Sequence, residues 1–193
     1  MLGIINLNNI FLIKMNDKKI IIGLVGNKNA GKSTAQKHLC NKNFKPINFA
    51  DKLKDIVAVT FNIDRKLLEG DTEESRKFRE TVIDKYKLTP RVLFQKTADL
   101  LKQNFGDLFF IDIVNDFINN NDRIVVGDVR YPKEAQMLRN HGAILIKINR
   151  QIKNFDESML HSSETSIDEI QVDYTIDNNS SIEDLYNNLD GIL

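Results

Sequence analysis

Residues 20–34 read Ile20-Ile21-Ile22-Gly23-Leu24-Val25-Gly26-Asn27-Lys28-Asn29-Ala30-Gly31-Lys32-Ser33-Thr34. The first six are apolar or small without polar alternation, as expected of a strand covered on both faces. The next eight, Gly26 to Ser33, satisfy G-x-x-x-x-G-K-[ST] at every fixed position and run directly into a helix-like stretch at 32–41. Strand, glycine-rich loop and helix thus follow without a gap, which is the βα unit of an α/β fold.

Each part of the loop has a physical task. Glycines let the backbone curl until successive N–H groups point inward, an anion nest that continues into the positive end of a helix. Lys32 brings a mobile cation to the β- and γ-phosphates of a triphosphate, and the Ser33 hydroxyl is placed to ligate Mg²⁺. The expected ATP-binding residues are therefore Gly26, Asn27, Lys28, Asn29, Ala30, Gly31, Lys32, Ser33 and Thr34.

Outward from this unit, further apolar runs at 47–50, 124–126, 143–148 and 174–176 read as strands, several continuous enough for a parallel sheet. The segment 132–140 reads as a helix. Between the second and third strands, 51–121 is charged and helical in its periodicity, with Leu53, Ile56, Val57 and later Leu93, Phe94, Thr97, Leu100 and Leu101 at helical spacing. It breaks at Gly70 and Thr89-Pro90 and reads as a helical insertion. The first segment, 1–14, is apolar and Asn-rich, lacks a basic leader, is too short to span a bilayer, and is expected to lie outside the fold.

At 193 residues the chain is long enough for one domain with a proper core. Its 27 Lys plus Arg balance 27 Asp plus Glu, so no general field favours a nucleic-acid backbone. That excludes a nucleic acid polymer as the expected partner and leaves small anions open; no membrane association is expected. The single cysteine, Cys40, has no disulfide or zinc partner in the chain, reads as a small buried hydrophobe, and fits a reducing, cytoplasmic setting.

The run Ile124-Val125-Val126-Gly127-Asp128 is an apolar strand ending in a carboxylate, and Asp128 is expected to share Mg²⁺ with Ser33. Phosphoryl transfer asks a protein mainly to compensate charge and align two polyanions, a task for arginines. Arg130 follows Asp128 on the same sheet edge, Arg91 follows Thr89-Pro90, and Arg150 ends the next strand. Arg76, Arg79 and Arg139 read as solvated helix faces.

These residues, with Asn48-Phe49-Ala50-Asp51-Lys52-Leu53-Lys54, Phe94-Gln95, Phe105-Gly106-Asp107, Asp128-Val129-Arg130-Tyr131-Pro132-Lys133-Glu134-Ala135, His161-Ser162-Ser163-Glu164 and Asp173-Tyr174-Thr175-Ile176-Asp177-Asn178, resemble the deoxynucleoside monophosphate kinases of viral and phage type, related to dephospho-coenzyme A kinase. The likeness runs from Lys19 to the C-terminus. It implies an α/β, three-layer P-loop NTPase fold with a five-stranded parallel sheet, a helical acceptor-binding insertion at 51–121 and a lid at 149–164. It implies Lys32, Asp51, Arg130 and Arg150 as catalytic residues, Asp51, Lys54, Arg91, Gln95 and Arg130 at the acceptor, and Asn178 near the adenine. His161 and Glu164 read as hydrogen-bonding lid residues rather than as a base, because a loose transition state gains little from deprotonating an already anionic acceptor. Ser166 to Glu169 also reads as a capping box opening a helix.

The expected activity is in-line transfer from ATP to a nucleoside monophosphate. A kinase of another small acceptor such as dephospho-coenzyme A, or a nucleotide-driven switch or ATPase, stays open at this point, as does a homodimer.

Overall fold

The computed structural model describes residues 19–151 and 166–193; residues 1–14, His161 and Glu164, and most of the expected lid lie outside the described residues. Five parallel strands form one sheet in the order β2-β3-β1-β4-β5. They are β1 (Ile20–Val25), β2 (Lys45–Ile47), β3 (Arg123–Val129), β4 (Ile144–Asn149) and β5 (Tyr174–Asp177). Strand β1 lies at the centre with β3 and β4 beside it, so its residues from Ile21 onward are buried. Neighbours on both edges and helices on both faces account for its lack of polar alternation.

Seven helices stand among the described residues: α1 (Lys32–Cys40), α2 (Asp51–Phe61), α3 (Glu73–Glu80), α4 (Pro90–Phe105), α5 (Phe109–Asn119), α6 (Pro132–Asn140) and α7 (Ile182–Asp190). One face of the sheet packs Ile22, Leu24, Val125, Ile146, Ile148 and Ile176 against Ala35 and Leu39 of α1 and Leu185 and Leu189 of α7. Residues one step along the strands point the other way. A side chain at Gly23 would meet Leu145 of β4 and Leu138 of α6, which places α6 on the opposite face. Helix, sheet and helix are the three layers expected.

The same sheet unit ties α1 to α7 by a polar clasp: His38 stacks on Tyr186 at 4.0 Å, and Asp190 receives His38 at 2.7 Å and Lys42 at 2.8 Å. Those hydrogen bonds hold the Asp190 carboxyl below its ordinary range. Cys40 packs partly buried against the same core, and burial pushes its thiol up, as an inert cysteine requires.

Residues 48–115 form a second compact unit, and residues up to 47 belong with 116–193. Within the second unit Val57, Ala58, Leu68, Leu93 and Phe94 are buried together, with Leu53, Phe61, Phe78 and Tyr86 at their margin. Its boundaries follow local chemistry. Thr89 caps α4 through Val92 N at 3.3 Å with Pro90 in the first turn, and Thr72 caps α3 in a capping box with Ser75. Helix α4 has 16 residues, roughly 24 Å, and outruns this small cluster, so Leu100 is exposed although its spacing matches Leu93. Helix α5 crosses the boundary; its end stays with the sheet, where Ile118 is fully buried and its carbonyl accepts Lys19 Nζ at 2.5 Å.

Four expectations shift. The second strand occupies 45–47 rather than 47–50, because Asp51 Oδ2 accepts both Asn48 N (2.9 Å) and Asn48 Nδ2 (3.0 Å) and turns the chain into α2. Ser166 to Glu169 form one 3₁₀ turn rather than the start of a longer helix. Arg79 lies 5.6 Å above the Phe94 ring, and Arg139 binds Asp173 at 3.2 Å and Gln171 O at 2.8 Å, so neither is a merely solvated face residue.

The central-strand packing makes a direct prediction. Leu24→Ala removes a side chain with no exposed surface and should cost about 2–5 kcal/mol of unfolding free energy in urea denaturation. A loss well under 1 kcal/mol would contradict this placement of the core.

Candidate functional site

The loop between β1 and α1 owes its shape to two glycines. Gly26 has φ 147, and a Cβ there would stand 2.4 Å from Ile148 O in β4. Gly31 has φ 110, and a Cβ there would stand 2.3 Å from Asn178 Nδ2. Both positions combine a backbone conformation that L side chains rarely adopt with a neighbour that leaves no room. Asn29 also takes the left-handed conformation, at φ 64, which asparagine tolerates better than most residues. Asn27, Lys28 and Asn29 are exposed, whereas Ala30 is buried and anchors the loop in the core.

Gly31 is the N-cap of α1 and supplies no side-chain cap, so the start of this helix faces the loop with its own amides. Lys32 Nζ donates to Gly26 O at 2.6 Å and Asn27 O at 2.8 Å, which folds its ammonium into the loop. Ser33 is exposed beside it, and Thr34 is half-buried in the first turn of α1. Asn178, just beyond β5, donates Nδ2 to Ala30 O at 2.8 Å, and its backbone N–H donates to Asn149 O at 2.7 Å. The family resemblance implies a place for Asn178 near an adenine; the structure gives its amide group a task in holding the loop.

Beside the loop, β3 ends at the same level. Val25 pairs with Val129, so Gly26 and Arg130 are the next residues on adjacent strands. Between Gly23↔Val126 and Val25↔Val129, three residue steps of β3 match two of β1. This irregularity falls on Gly127 and Asp128, and such bulges re-aim side chains next to functional sites. Asp128 and Arg130 are half-buried. Arg130 makes no ion pair with any described residue, and its nearby positive charge acts on Glu134.

Glu134, in the first turn of α6, is 9% exposed, and its Oε2 accepts both Arg130 N (2.8 Å) and Tyr131 N (3.1 Å). Burial pushes its carboxyl up to about 7; the negative Asp128 adds to the rise, while the two amides and the Arg130 charge oppose it. Sequence reasoning quoted Glu134 within a motif but gave it no role. Its one signal was its position three residues after the N-cap Tyr131, the spacing of a capping box.

Among the described residues no group of three or more His, Cys, Asp or Glu side chains is arranged to hold a metal ion. Ser33 and Asp128 offer one hydroxyl and one carboxylate, a donor set that suits Mg²⁺, which usually takes one or two carboxylates and completes its shell with phosphates and water.

The second unit carries its own charged cluster. Asp51 opens α2, 3.7 Å from Lys54 Nζ and 3.6 Å from Arg65 Nη2. Lys54 binds Glu69 at 2.7 Å; Arg65 binds Asp55 at 2.8 Å and also Glu69. Arg91 is tied to Glu80 Oε1 through Nε at 2.8 Å and Nη2 at 2.5 Å, and Gln95 is exposed on α4. The cluster joins Asp51 to Lys54 and adds Arg65, for which the sequence carried no signal; Arg91 stands in a separate pair. In the sheet unit, Arg150 is exposed just past β4.

The family described as deoxynucleotide monophosphate kinase matches residues 97–189 of this chain. A protein of Acanthamoeba polyphaga mimivirus described as "Putative deoxynucleotide monophosphate kinase" is 28% identical over 187 residues, covering 88% of this chain and 94% of that one. Among solved structures, dephospho-CoA kinase from Campylobacter jejuni aligns with a TM-score of 0.50 at 14% identity, over 89% of this chain and 94% of that one. TT1252 from Thermus thermophilus aligns with a TM-score of 0.50 at 16% identity, over 91% of this chain and 96% of that one. At these identities the structural likenesses speak for the fold.

Glu134 makes stability depend on pH. Its carboxyl titrates near 4.5 when unfolded and about 7 when folded, so between those values only the unfolded chain has released the proton. Its contribution is therefore full below about pH 4.5 and is lost as pH rises through 7. Glu134→Gln removes this dependence, and the fall in unfolding free energy from pH 5 to pH 8 should shrink by roughly 1–3 kcal/mol. Superimposable pH profiles for variant and wild type would contradict the environment described for this carboxyl.

Proposed function

We propose that this chain, a phosphotransferase resembling the deoxynucleotide monophosphate kinases, transfers the γ-phosphoryl group of ATP to a deoxynucleoside monophosphate. The observation that carries the reading is the pairing of Val25 with Val129, which sets a complete phosphate loop and the Asp128–Arg130 turn side by side on one sheet edge. In open α/β sheets, ligands gather at the carboxyl ends of strands, where the strand order reverses. Here β1 runs to that edge between β3 and β4, and its loop is the phosphate cradle.

The loop amides and the N-terminus of α1 receive the β- and γ-phosphates of ATP, with Lys32 exchanging its carbonyl partners Gly26 O and Asn27 O for phosphate oxygens. Ser33 and Asp128 would hold Mg²⁺, which would supply compensation of the negative charge on the nucleotide phosphates. Asn178 keeps the Ala30–Gly31 peptide in place and stands on the side assigned to the adenine. Asp51, Lys54, Arg91 and Gln95 are assigned to the acceptor; Arg130 is assigned to its phosphate and to the transferring group, and Arg150 to the transition state.

A phosphate oxygen of the acceptor forms the new bond to the γ-phosphorus as the bond to the β,γ-bridging oxygen breaks. The electron pair leaves on ADP, and a dianionic acceptor has no proton to surrender. No covalent intermediate on the protein is needed.

Acceptor-dependent ADP release, measured with ATP across the deoxy- and ribonucleoside monophosphates and dephospho-coenzyme A, tests the assignment. Turnover is expected with deoxynucleoside monophosphates. Turnover with dephospho-coenzyme A alone, or slow hydrolysis indifferent to every acceptor, would refute it. Lys32→Ala should lower turnover by at least about a hundredfold while the protein stays folded by circular dichroism. Arg130→Ala should lower kcat/KM for the acceptor by roughly a hundredfold or more and leave KM for ATP within about threefold. A selective loss of ATP affinity instead would move Arg130 to the other substrate.

A further inference from the structure

We propose that Glu134 is the positioning residue of the reaction: its carboxylate oxygen grips the main-chain amides of Arg130 and Tyr131 and so fixes the direction in which Arg130 leaves the sheet. The proposal rests on the phosphotransfer role given to Arg130 above and names what holds that residue.

Arg130 is placed by its backbone. Strand β3 ends at Val129, so the amides of Arg130 and Tyr131 lie beyond the ladder, and Pro132 follows without an N–H of its own. Among the described residues the Arg130 guanidinium makes no ion pair within 4.0 Å, and its charge acts on Glu134. One oxygen, Glu134 Oε2, takes both amides at 2.8 and 3.1 Å. An ordinary capping box needs only the N-cap amide, here that of Tyr131. The further reach to Arg130 N ties the helix start to the residue that pairs off the strand.

Burial adds to the argument. Capping glutamates work well in solvent, yet this one is 9% exposed, its carboxyl raised by that burial and by Asp128. Burying a carboxyl group is costly unless hydrogen bonds compensate, and the bonds from two amides to one oxygen do so while making the turn stiff. A rigid turn at this position matters because Val129 pairs with Val25: a small rotation of the Arg130 peptide swings its long side chain relative to the phosphate loop.

The test compares Glu134→Ala, Glu134→Gln and Glu134→Asp with wild type in three readouts. Gln keeps a carbonyl oxygen at the same reach, Asp keeps the charge but draws it back by one methylene, and Ala keeps neither. Amide hydrogen exchange at residues 130 and 131 should be slow in wild type and Gln and fast in Ala and Asp. In the folded variants, kcat should fall at least about tenfold for Ala and Asp and stay within about threefold of wild type for Gln, with KM for ATP little changed in all. In an Arg130→Ala background, adding Glu134→Ala should lower kcat by less than about twofold, because the partner through which it acts is gone.

A Glu134→Ala enzyme that melts earlier but turns over normally would reduce Glu134 to a helix cap and overturn the proposal. So would Gln being as impaired as Ala, which would make charge rather than hydrogen bonding the active property. If Ala does not fold, the contrast of Gln with Asp still decides, since the grip requires Gln to be the better of the two. Were wild type to show no acceptor-dependent turnover, the kinase reading would fail, while amide exchange at 130 and 131 would still uphold or overturn the grip.

Discussion

The close approach of bare backbone at the carboxyl edge of the sheet is the constraint on which the sheet unit depends. At Gly26 the chain passes so near to Ile148 O that a methyl group has no place, and at Gly31 the Asn178 amide fills the space a side chain would need. These two contacts pin the ends of the loop to β4 and to the residue after β5. Between them Asn27, Lys28 and Asn29 are exposed, and Ala30 is drawn into the core beneath. The loop is thus preorganised by packing already complete in the sheet unit, which is what electrostatic stabilisation of a triphosphate requires.

The charges divide along different lines in the two units. In the sheet unit, Lys32 donates to main-chain carbonyls, and the charge of Arg130 acts on the buried Glu134 carboxyl. In the second unit, the cations proposed for the acceptor are held by acids, Lys54 by Glu69 and Arg91 by Glu80, and the neighbouring Arg65 is held by Asp55 and Glu69. Pairs as exposed as Arg91 with Glu80 contribute little, about 0–1 kcal/mol each. A phosphate dianion competing for such a cation therefore displaces a weak partner.

How much of this was legible in the sequence follows from the range of each interaction. Strand β1, the loop and α1 were readable because their signal is contiguous: an apolar run, fixed glycines and a lysine-serine pair within 15 residues. Helix α6 was read to the residue because Pro132 marks its start and Gly142 follows its end. The second strand slipped because 47–50 is apolar for a different reason: Phe49 is buried at a helix entrance set by the Asn48–Asp51 hydrogen bonds. Non-local features left no trace. The register irregularity at Gly127–Asp128 depends on the pairing of β1 with β3, which lie far apart in the chain, and Arg139 meets Asp173 only once β4 and β5 are side by side. Glu134 was visible as a cap but not as a buried group, since burial is a property of the finished core.

The central claim is that residues 26–34 receive the triphosphate, and the most direct measurement is a backbone amide NMR titration of the ¹⁵N-labelled chain with ATP and Mg²⁺. The account predicts saturable shifts concentrated at the amides of 27–34, with Asn178 following through its bond to Ala30. Saturable binding that leaves those amides unmoved and perturbs only residues elsewhere would contradict it.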